Sequence, residues 1–376
     1  MSIAIVGAGF GGLAAAGKIS KLRDQKILLF DKNRYTTMFP ALPDVAGDKI
    51  EPRFLKGDIA RRIPPNVSFV NERVISLDLD ESLIHTSENE YHFDYLLIAT
   101  GSVTNFFGFD QNLNDLYTLT SLEEAERIRR EFPSYLEKIS SPHVVLSGAG
   151  YTALELASHL SVMAASRGVQ LKITLVEKAK GILPFLSPKQ KKHIIRYLRR
   201  KNFEVKTNNT IEHFDGNGVR LESGEEYEDV FLCWTTGTKF SIPEVKGDLD
   251  RLRDGRIKVL DTLQAPGYAN VFACGDSAAI HSGETYLRKA VNFAIYSGAS
   301  AGGNLYRLIR KKPLRPFRPI DLGWVIPLHK DSVGLVFGKI PLYGKIGLRM
   351  HYMMCGYRNY NLPNRTMFLK MALRLY

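Results

Sequence analysis

Between the apolar run SIAIV (2–6) and the alanine-rich run LAAAGKISKL (13–22) stand Gly7-Ala8-Gly9-Phe10-Gly11-Gly12, and the chain continues into KILLF (26–30) and Asp31. Short apolar runs bounded by glycine read as buried strands, and two of them around one helix read as a parallel βαβ unit. In that frame Gly7 makes the tight turn, Gly9 lets the backbone approach a pyrophosphate, and Gly12 lets helix and strand pack closely. The helix N-terminus then offers its free amides and positive dipole end to the phosphates. Asp31 closes the second strand, where a carboxylate accepts hydrogen bonds from a ribose. Strand, glycines, helix, strand and acid together define a dinucleotide site.

The pattern recurs. HVVLS (143–147) leads into Gly148-Ala149-Gly150-Tyr151-Thr152-Ala153, then the helical run LELASHLSVMAA, then LKITLV ending at Glu177. Ala153 takes the third glycine position, which the fingerprint tolerates. Glu177 at the ribose position favours NADH, because a carboxylate repels a 2′-phosphate; Lys178 and Lys180 temper that preference. A duplicated domain with one inactive site is the alternative. YLLIATG (95–101) and NVFACGDSA (270–278) argue against it, each a buried strand running into a small-residue turn, and FLCWTTG (231–237) repeats the first of them. In Gly275-Asp276 the backbone can approach a phosphate while the carboxylate binds a sugar hydroxyl.

Charge is unevenly spread. The net charge is +12, yet residues 1–300 are balanced, and residues 301–376 hold 14 basic residues against Asp321 and Asp331. Such a basic end fits an anionic partner, either a membrane surface or nucleic acid. Cys233, Cys274 and Cys355 form no close pair, so no local disulfide or zinc site is expected. The histidines have no metal-pair spacing, so no metal is expected. The chain enters its first strand at once, which leaves no room for a signal peptide, and no apolar run reaches the ~18 residues of a spanning helix. A cytoplasmic protein is expected.

GAGFGG, IATG, GAGYTALE and ACGD, in this order, resemble the two-dinucleotide-binding flavoprotein superfamily over residues 1 to about 305. Within it, DKNRYTTMFPALPDVAG after the first acid is similar to the type II NADH dehydrogenases. The resemblance implies an α/β fold of two Rossmann-like domains plus a C-terminal region with short amphipathic helices. The expected divisions are 1–110 and 256–310 for FAD, 111–255 for NAD(P)H, and 311–376 for the basic region. It implies an FAD site at Gly7, Gly9, Gly12, Asp31, Lys32, Thr100, Gly101, Gly275, Asp276, Ala290 and Val291. The NADH site would use Gly148, Gly150, Tyr151, Thr152, Glu177 and Gly237. Glu155 would orient NADH or relay a proton. Where these dehydrogenases carry AQxAxQ beside the flavin and quinone, this chain has Val291-Asn292-Phe293-Ala294-Ile295-Tyr296, so Asn292 and Tyr296 become the acceptor-side candidates.

The implied reaction passes a hydride from NADH to flavin and two electrons on to a quinone. A soluble flavin reductase, a sulfide:quinone oxidoreductase and a nucleotide-sensing flavoprotein are the alternatives. Cysteine placement disfavours disulfide and sulfide chemistry. At the C-terminal end, LYRLIRKKPLRPFR (305–318) reads as a basic linker, with DLGWVIPL and VGLVFG as two strands of a hairpin. Met350, Met353, Met354 and Tyr357 fall on one helix face. From Asn364 as N-cap, Thr366, Lys370 and Arg374 make a narrow polar sector on a helix otherwise formed by Met367, Phe368, Leu369, Met371, Ala372, Leu373, Leu375 and Tyr376. This suits a helix lying in an anionic membrane interface, on the inner face of the cell membrane; burial against the body or a homodimer partner is the other possibility. Nucleic acid is disfavoured, because the aromatics alternate with Met and Leu.

Overall fold

The computed structural model describes residues 1–240 and 243–373. Its α-helices are, in chain order, α1 (Phe10–Ile19), α2 (Leu42–Ala46), α3 (Leu122–Lys138), α4 (Tyr151–Ser166), α5 (Pro188–Arg200), α6 (Val291–Ile309), α7 (Gly344–Tyr357) and α8 (Leu362–Leu373). The chain divides into two compact units, each built from three segments. The first holds Met1–Thr36, Gly57–Val103 and Thr238–Leu322; the second holds Thr37–Lys56, Thr104–Gly237 and Gly323–Tyr376. These cuts differ from the boundaries drawn on the sequence. Thr37–Lys56 joins the second unit because Leu42, Val45 and Ala46 are buried there beside α3 and α4. Gly323–Tyr376 also belongs to that unit.

The first unit is built on a five-stranded parallel sheet ordered Val271–Ala273, Tyr95–Ile98, Ser2–Val6, Lys26–Phe30, Val67–Val70. Nearly every residue of the three central strands is apolar and buried, as a sheet covered on both faces requires. Its helices α1 and α6 pack with almost no spacer. A Cβ on Gly298 would lie 2.1 Å from the Gly11 carbonyl oxygen, and one on Gly302 would lie 2.6 Å from that of Ala15. The basic stretch after α6 is strapped down. Asn304 donates to the carbonyls of Thr262 and Arg315 and accepts from the Arg315 amide, while Arg307 donates to the Pro313 carbonyl. Residues 305–309 belong to α6, so the expected linker starts five residues later than drawn.

The second unit repeats the plan with a four-stranded parallel sheet ordered Phe203–Thr207, Lys172–Glu177, His143–Ser147, Val230–Trp234. Beyond it, Gly323–Leu328, Asp331–Val336 and Ile340–Tyr343 form an antiparallel sheet, one strand more than the hairpin expected. Gln190 on α5 donates to the Gly334 carbonyl, and His193 and Arg200 reach Asp331, which fixes this sheet to the nucleotide-type layer.

The last helix starts before its expected cap. Asn361 is the capping residue, its Oδ1 accepting from the Asn364 amide at 2.8 Å. Asn364 is buried inside α8 and donates to the Lys56 carbonyl instead. Phe368 and Ala372 are buried, whereas Leu362, Leu369 and Leu373 face solvent. On α7 the expected face is split: Met353 and Tyr357 are exposed, together with Ile346, whereas Met350 and Met354 are half-buried. Arg374, Leu375 and Tyr376 lie outside the described residues.

Candidate functional site

The two glycine turns have matching geometry. Gly7 (φ +102°) donates to the Phe30 carbonyl, and Gly148 (φ +96°) to that of Val176. At both positions a side chain would collide: with the Ala99 carbonyl in the first unit and the Thr236 hydroxyl in the second. A Cβ on Gly12 would fall 1.8 Å from the Gly7 carbonyl oxygen, so the first turn of α1 can pack against the glycine turn only with glycine there. Gly9 and Gly150 differ, since a Cβ on either meets no atom within 4 Å. No described residue requires glycine there; the space is open at the N-terminus of a helix, the kind of place where an anion is favoured.

The acids match as well. Asp31 accepts from the Ala8 amide at 2.8 Å through one oxygen and from the Asn33 amide at 2.9 Å through the other. Glu177 accepts from Ala149 at 3.0 Å and from Ala179 at 2.9 Å. Each carboxylate is thereby held at the mouth of its own glycine turn with lone pairs left for a sugar hydroxyl. Burial pushes the pKa of Asp31 up against the pull of those two amides. Lys32 beside it is exposed.

A third turn completes the first unit. Gly275 (φ +64°) donates to Ser297 on α6, and the Gly101 amide donates to Ser277 at 3.0 Å, with the Thr100 hydroxyl at 3.3 Å from the same oxygen. Ser102 donates to Asp276, whose pKa burial raises while Lys289 pulls it down. Ala290 is the extended residue before Val291 opens α6. Lys289 is exposed, and its ammonium hydrogen-bonds Thr238 and lies 4.5 Å from the centre of the Phe240 ring. Desolvation lowers its pKa, opposed by Asp276. Arg256, Asp276, Arg288, Lys289 and Phe293 line one recess. Ser102, Ser277 and Arg256 were not singled out from the sequence, since only the third dimension brings them to the Gly-Asp turn.

Asn292 is buried, and its amide donates to the Ile320 carbonyl at 3.1 Å, so part of its hydrogen-bonding capacity anchors the strap. Tyr296, one turn further along α6, is 38% exposed and its ring is not part of the core.

In the second unit, Tyr151 at the start of α4 stacks on Phe185 (centroids 5.4 Å, planes 2° apart), and both meet Trp324 edge-on. Thr152 follows as the second residue of α4. Gly237 (φ +64°) has the Phe107 ring directly over it. Glu155 is buried on α4, and desolvation together with the nearby Asp44 charge raises its pKa well above the usual carboxylate range. Asp44 itself is buried on α2. Its Oδ1 accepts from the Tyr352 hydroxyl at 2.6 Å and lies 3.5 Å from His159 Nε2 and 3.6 Å from Lys49 Nζ.

Cys233, Cys274 and Cys355 are free and buried, and burial raises the pKa of each thiol, that of Cys274 to about 12. Among the described residues no three His, Cys, Asp or Glu side chains are grouped to hold a metal, and no helix is long and apolar enough to cross a membrane.

Two units, each with a glycine turn open at its second glycine and an acid held at the mouth of that turn, have the plan of a pyridine-nucleotide-linked oxidoreductase. The chain belongs to the family described as pyridine nucleotide-disulphide oxidoreductase, whose model matches residues 1–298. It is 27% identical over 368 residues to the type II NADH:quinone oxidoreductase of Staphylococcus aureus, covering 91% of each chain. Among solved structures it matches NDH2 from Plasmodium falciparum in complex with NADH (TM-score 0.83, 14% identity, 99% of this chain and 97% of that one). It also matches the sulfide:quinone oxidoreductase of Aquifex aeolicus (TM-score 0.80, 20% identity, 95% and 90%).

Proposed function

We propose that the chain is an NADH:quinone oxidoreductase carrying FAD, working at a membrane surface. The carrying observation is the matched pair of glycine turns, each with an open cradle at Gly9 or Gly150 and an acid locked at its mouth. It agrees with the printed activity of the Staphylococcus aureus relative, aligned over almost the whole chain. FAD, when bound, supplies the two-electron chemistry that links hydride donor to acceptor. Gly7, Gly9, Gly12, Asp31, Lys32, Thr100, Gly101, Gly275, Asp276, Ala290 and Val291 hold it. The amides opening α6 and the Lys289 ammonium put positive potential where reduction adds negative charge. Gly148, Gly150, Thr152, Glu177 and Gly237 hold NADH, with the Tyr151 ring at the entrance. Glu155 is the buried acid of the hydride-transfer side, and Asn292 and Tyr296 serve the acceptor side.

Membrane contact rests on one face of the second unit. Ile346, Met353 and Tyr357 on α7 and Leu362, Leu369 and Leu373 on α8 are exposed at helical spacing, and the same helices carry the exposed cations Lys345, Arg349, Arg365 and Lys370. Burying one such Leu contributes about 1.5–3 kcal/mol, and each basic residue near an anionic surface about 1 kcal/mol. A second copy of the chain is the competing cover.

Anaerobic NADH should bleach the flavin band, and menadione should restore it. Bleaching without reoxidation by quinone would move the assignment to a soluble reductase with another acceptor; no bleaching would leave a nucleotide-sensing flavoprotein. Bleaching by sulfide in place of NADH would favour the sulfide reading, which three buried thiols of raised pKa disfavour. The Ile346→Ser/Tyr357→Ser/Leu373→Ser variant should stop floating with anionic liposomes while keeping activity in solution. Equal flotation, or a dimer that dissociates only in the variant, would refute the membrane assignment.

A further inference from the structure

The two units share a second turn besides the glycine turn, and one side chain tells the copies apart. In the first unit Tyr95–Ile98 pairs with Ser2–Val6, Ile98 lies opposite Val6, and Ala99-Thr100-Gly101 follows. In the second unit Val230–Trp234 pairs with His143–Ser147, Trp234 lies opposite Ser147, and Thr235-Thr236-Gly237 follows. Both closing glycines have left-handed backbone, with φ +74° at Gly101 and +64° at Gly237. A Cβ on Gly101 would meet no atom within 4 Å, whereas one on Gly237 would fall 2.4 Å from the Phe107 ring. A ring stands in the second unit where the first leaves open space.

The position of Phe107 is not explained by packing. It is 65% exposed, and its φ of +52° is a left-handed conformation that bulky residues rarely adopt. Its neighbours impose it. Phe106 and Phe109 pack on Trp234 at centroid distances of 5.7 and 4.8 Å, and the indole N–H donates to the Asn105 carbonyl at 3.0 Å. The Asn105 amide donates to the Gly237 carbonyl at 3.3 Å, and its Oδ1 accepts from the Phe107 amide at 3.0 Å. Two phenylalanines of this segment thus serve the core, while the third is held out over the glycine. An exposed aromatic kept on strained backbone is a mark of ligand contact.

Topology says which part of a ligand would meet it. In the second sheet Lys172–Glu177 lies on one side of His143–Ser147, and Val230–Trp234 lies on the other. A dinucleotide with its adenosine ribose at Glu177 and its pyrophosphate at the Gly150 turn would carry its nicotinamide half to the opposite flank, toward Thr236 and Gly237. The two turns touch on that flank. The Ser147 and Thr236 hydroxyls are 2.8 Å apart, and a Cβ on Gly148 would lie 2.7 Å from Thr236 Oγ1.

We infer that Phe107 is a binding residue for the nicotinamide half of the dinucleotide, its ring packing against that half at the Gly237 turn. The inference rests on the reading of the second glycine turn as the NADH site and names a specificity residue for it. ADP carries the adenosine and both phosphates but no nicotinamide, and NAD⁺ carries all of them without reducing flavin. Isothermal titration of the flavin-loaded full chain with each ligand therefore separates the two halves. Phe107→Ala should raise the NAD⁺ dissociation constant roughly three- to tenfold, the range of an aromatic contact, and that of ADP less than about twofold. Phe107→Tyr keeps the ring and should keep the parent's affinity for both. Phe107→Asn suits left-handed backbone, so it should melt no lower than the parent yet lose NAD⁺ affinity as Phe107→Ala does. A ring that only packed would give the reverse, a lower melting temperature with NAD⁺ affinity intact. Unchanged NAD⁺ affinity in Phe107→Ala, or equal losses for NAD⁺ and ADP, would overturn the assignment of Phe107 and leave the site standing. A parent chain that takes up neither ligand would overturn the NADH reading of the second turn itself, and Phe107 with it.

Discussion

Gly298 and Gly303 lie on the same helix, α6, five residues apart, and replacing each with alanine should have opposite effects. In both cases alanine removes the helix-propensity penalty of glycine, a gain of about 0.8–1 kcal/mol. At Gly303 the added Cβ meets nothing within 4 Å, so that gain is realised. At Gly298 it would sit 2.1 Å from the Gly11 carbonyl oxygen, short by 1.3 Å of the 3.4 Å at which ordinary contact begins. The obstacle is backbone on α1, so no side chain can rotate aside and the two helices must separate. Overpacking of this kind costs typically ~1–3 kcal/mol. After the propensity gain, Gly298→Ala should be destabilised by up to about 2 kcal/mol, leaving it ~1–3 kcal/mol below Gly303→Ala, since the gain is common to both. At ~2–4 °C per kcal/mol for a unit of this size, their melting temperatures should differ by about 2–12 °C. Differential scanning calorimetry of the flavin-loaded protein gives this difference directly. Gly298→Ala should also release flavin more readily, since its strain falls on the glycine turn that opens α1. A Gly298→Ala protein that melts at or above Gly303→Ala would refute the close-packing argument.

Gly150→Ala should leave the melting temperature within about 1 °C, because its Cβ position is open, yet raise the NADH dissociation constant at least tenfold; unchanged NADH affinity would remove Gly150 from the site. Folded His143 stays neutral down to pH about 4 because of burial and then Lys172, whereas an unfolded histidine takes up a proton near pH 6.5. Its contribution is therefore intact above pH 6.5 and is lost as pH falls toward 4, by up to ~1.4 kcal/mol per pH unit. His143→Gln should flatten that part of a urea-stability-against-pH curve, and an unaltered slope would count against it. Asn361→Ala, which deletes the cap of α8, should cost about 0.5–2 kcal/mol, whereas a loss this large from Asn364→Ala would reflect its bond to the Lys56 carbonyl.

Local features were legible in the sequence. Both glycine turns, their strands and their acids stand within some thirty residues of one another, and the physics that fixes them is equally local. That Met353 and Tyr357 share a helix face was visible from helical spacing; that both are exposed was not. What stayed hidden depends on distant pairing. Asp44 reads as one more polar residue in LPDVAG until α7 delivers Tyr352 from more than three hundred positions away. Asn364 looks like a cap because it precedes an apolar run, but the helix begins earlier, at a segment rich in Pro and Asn, and the body claims its side chain. For the same reason, the exchange of Thr37–Lys56 into the second unit leaves no trace in composition or periodicity.

The tryptophans described above are the chain's only two, Trp234 and Trp324, and both belong to the second unit. One stacks on Phe109, and the other closes the aromatic group around Tyr151. Near-ultraviolet emission is therefore a private signal of that unit, while a bound flavin's own visible emission reports the other. Reduced nicotinamide absorbs where indole emits, so Trp324 is a built-in energy donor for a reduced nicotinamide held at the second glycine turn. One unlabelled sample can thus follow two halves of the same molecule in two colours.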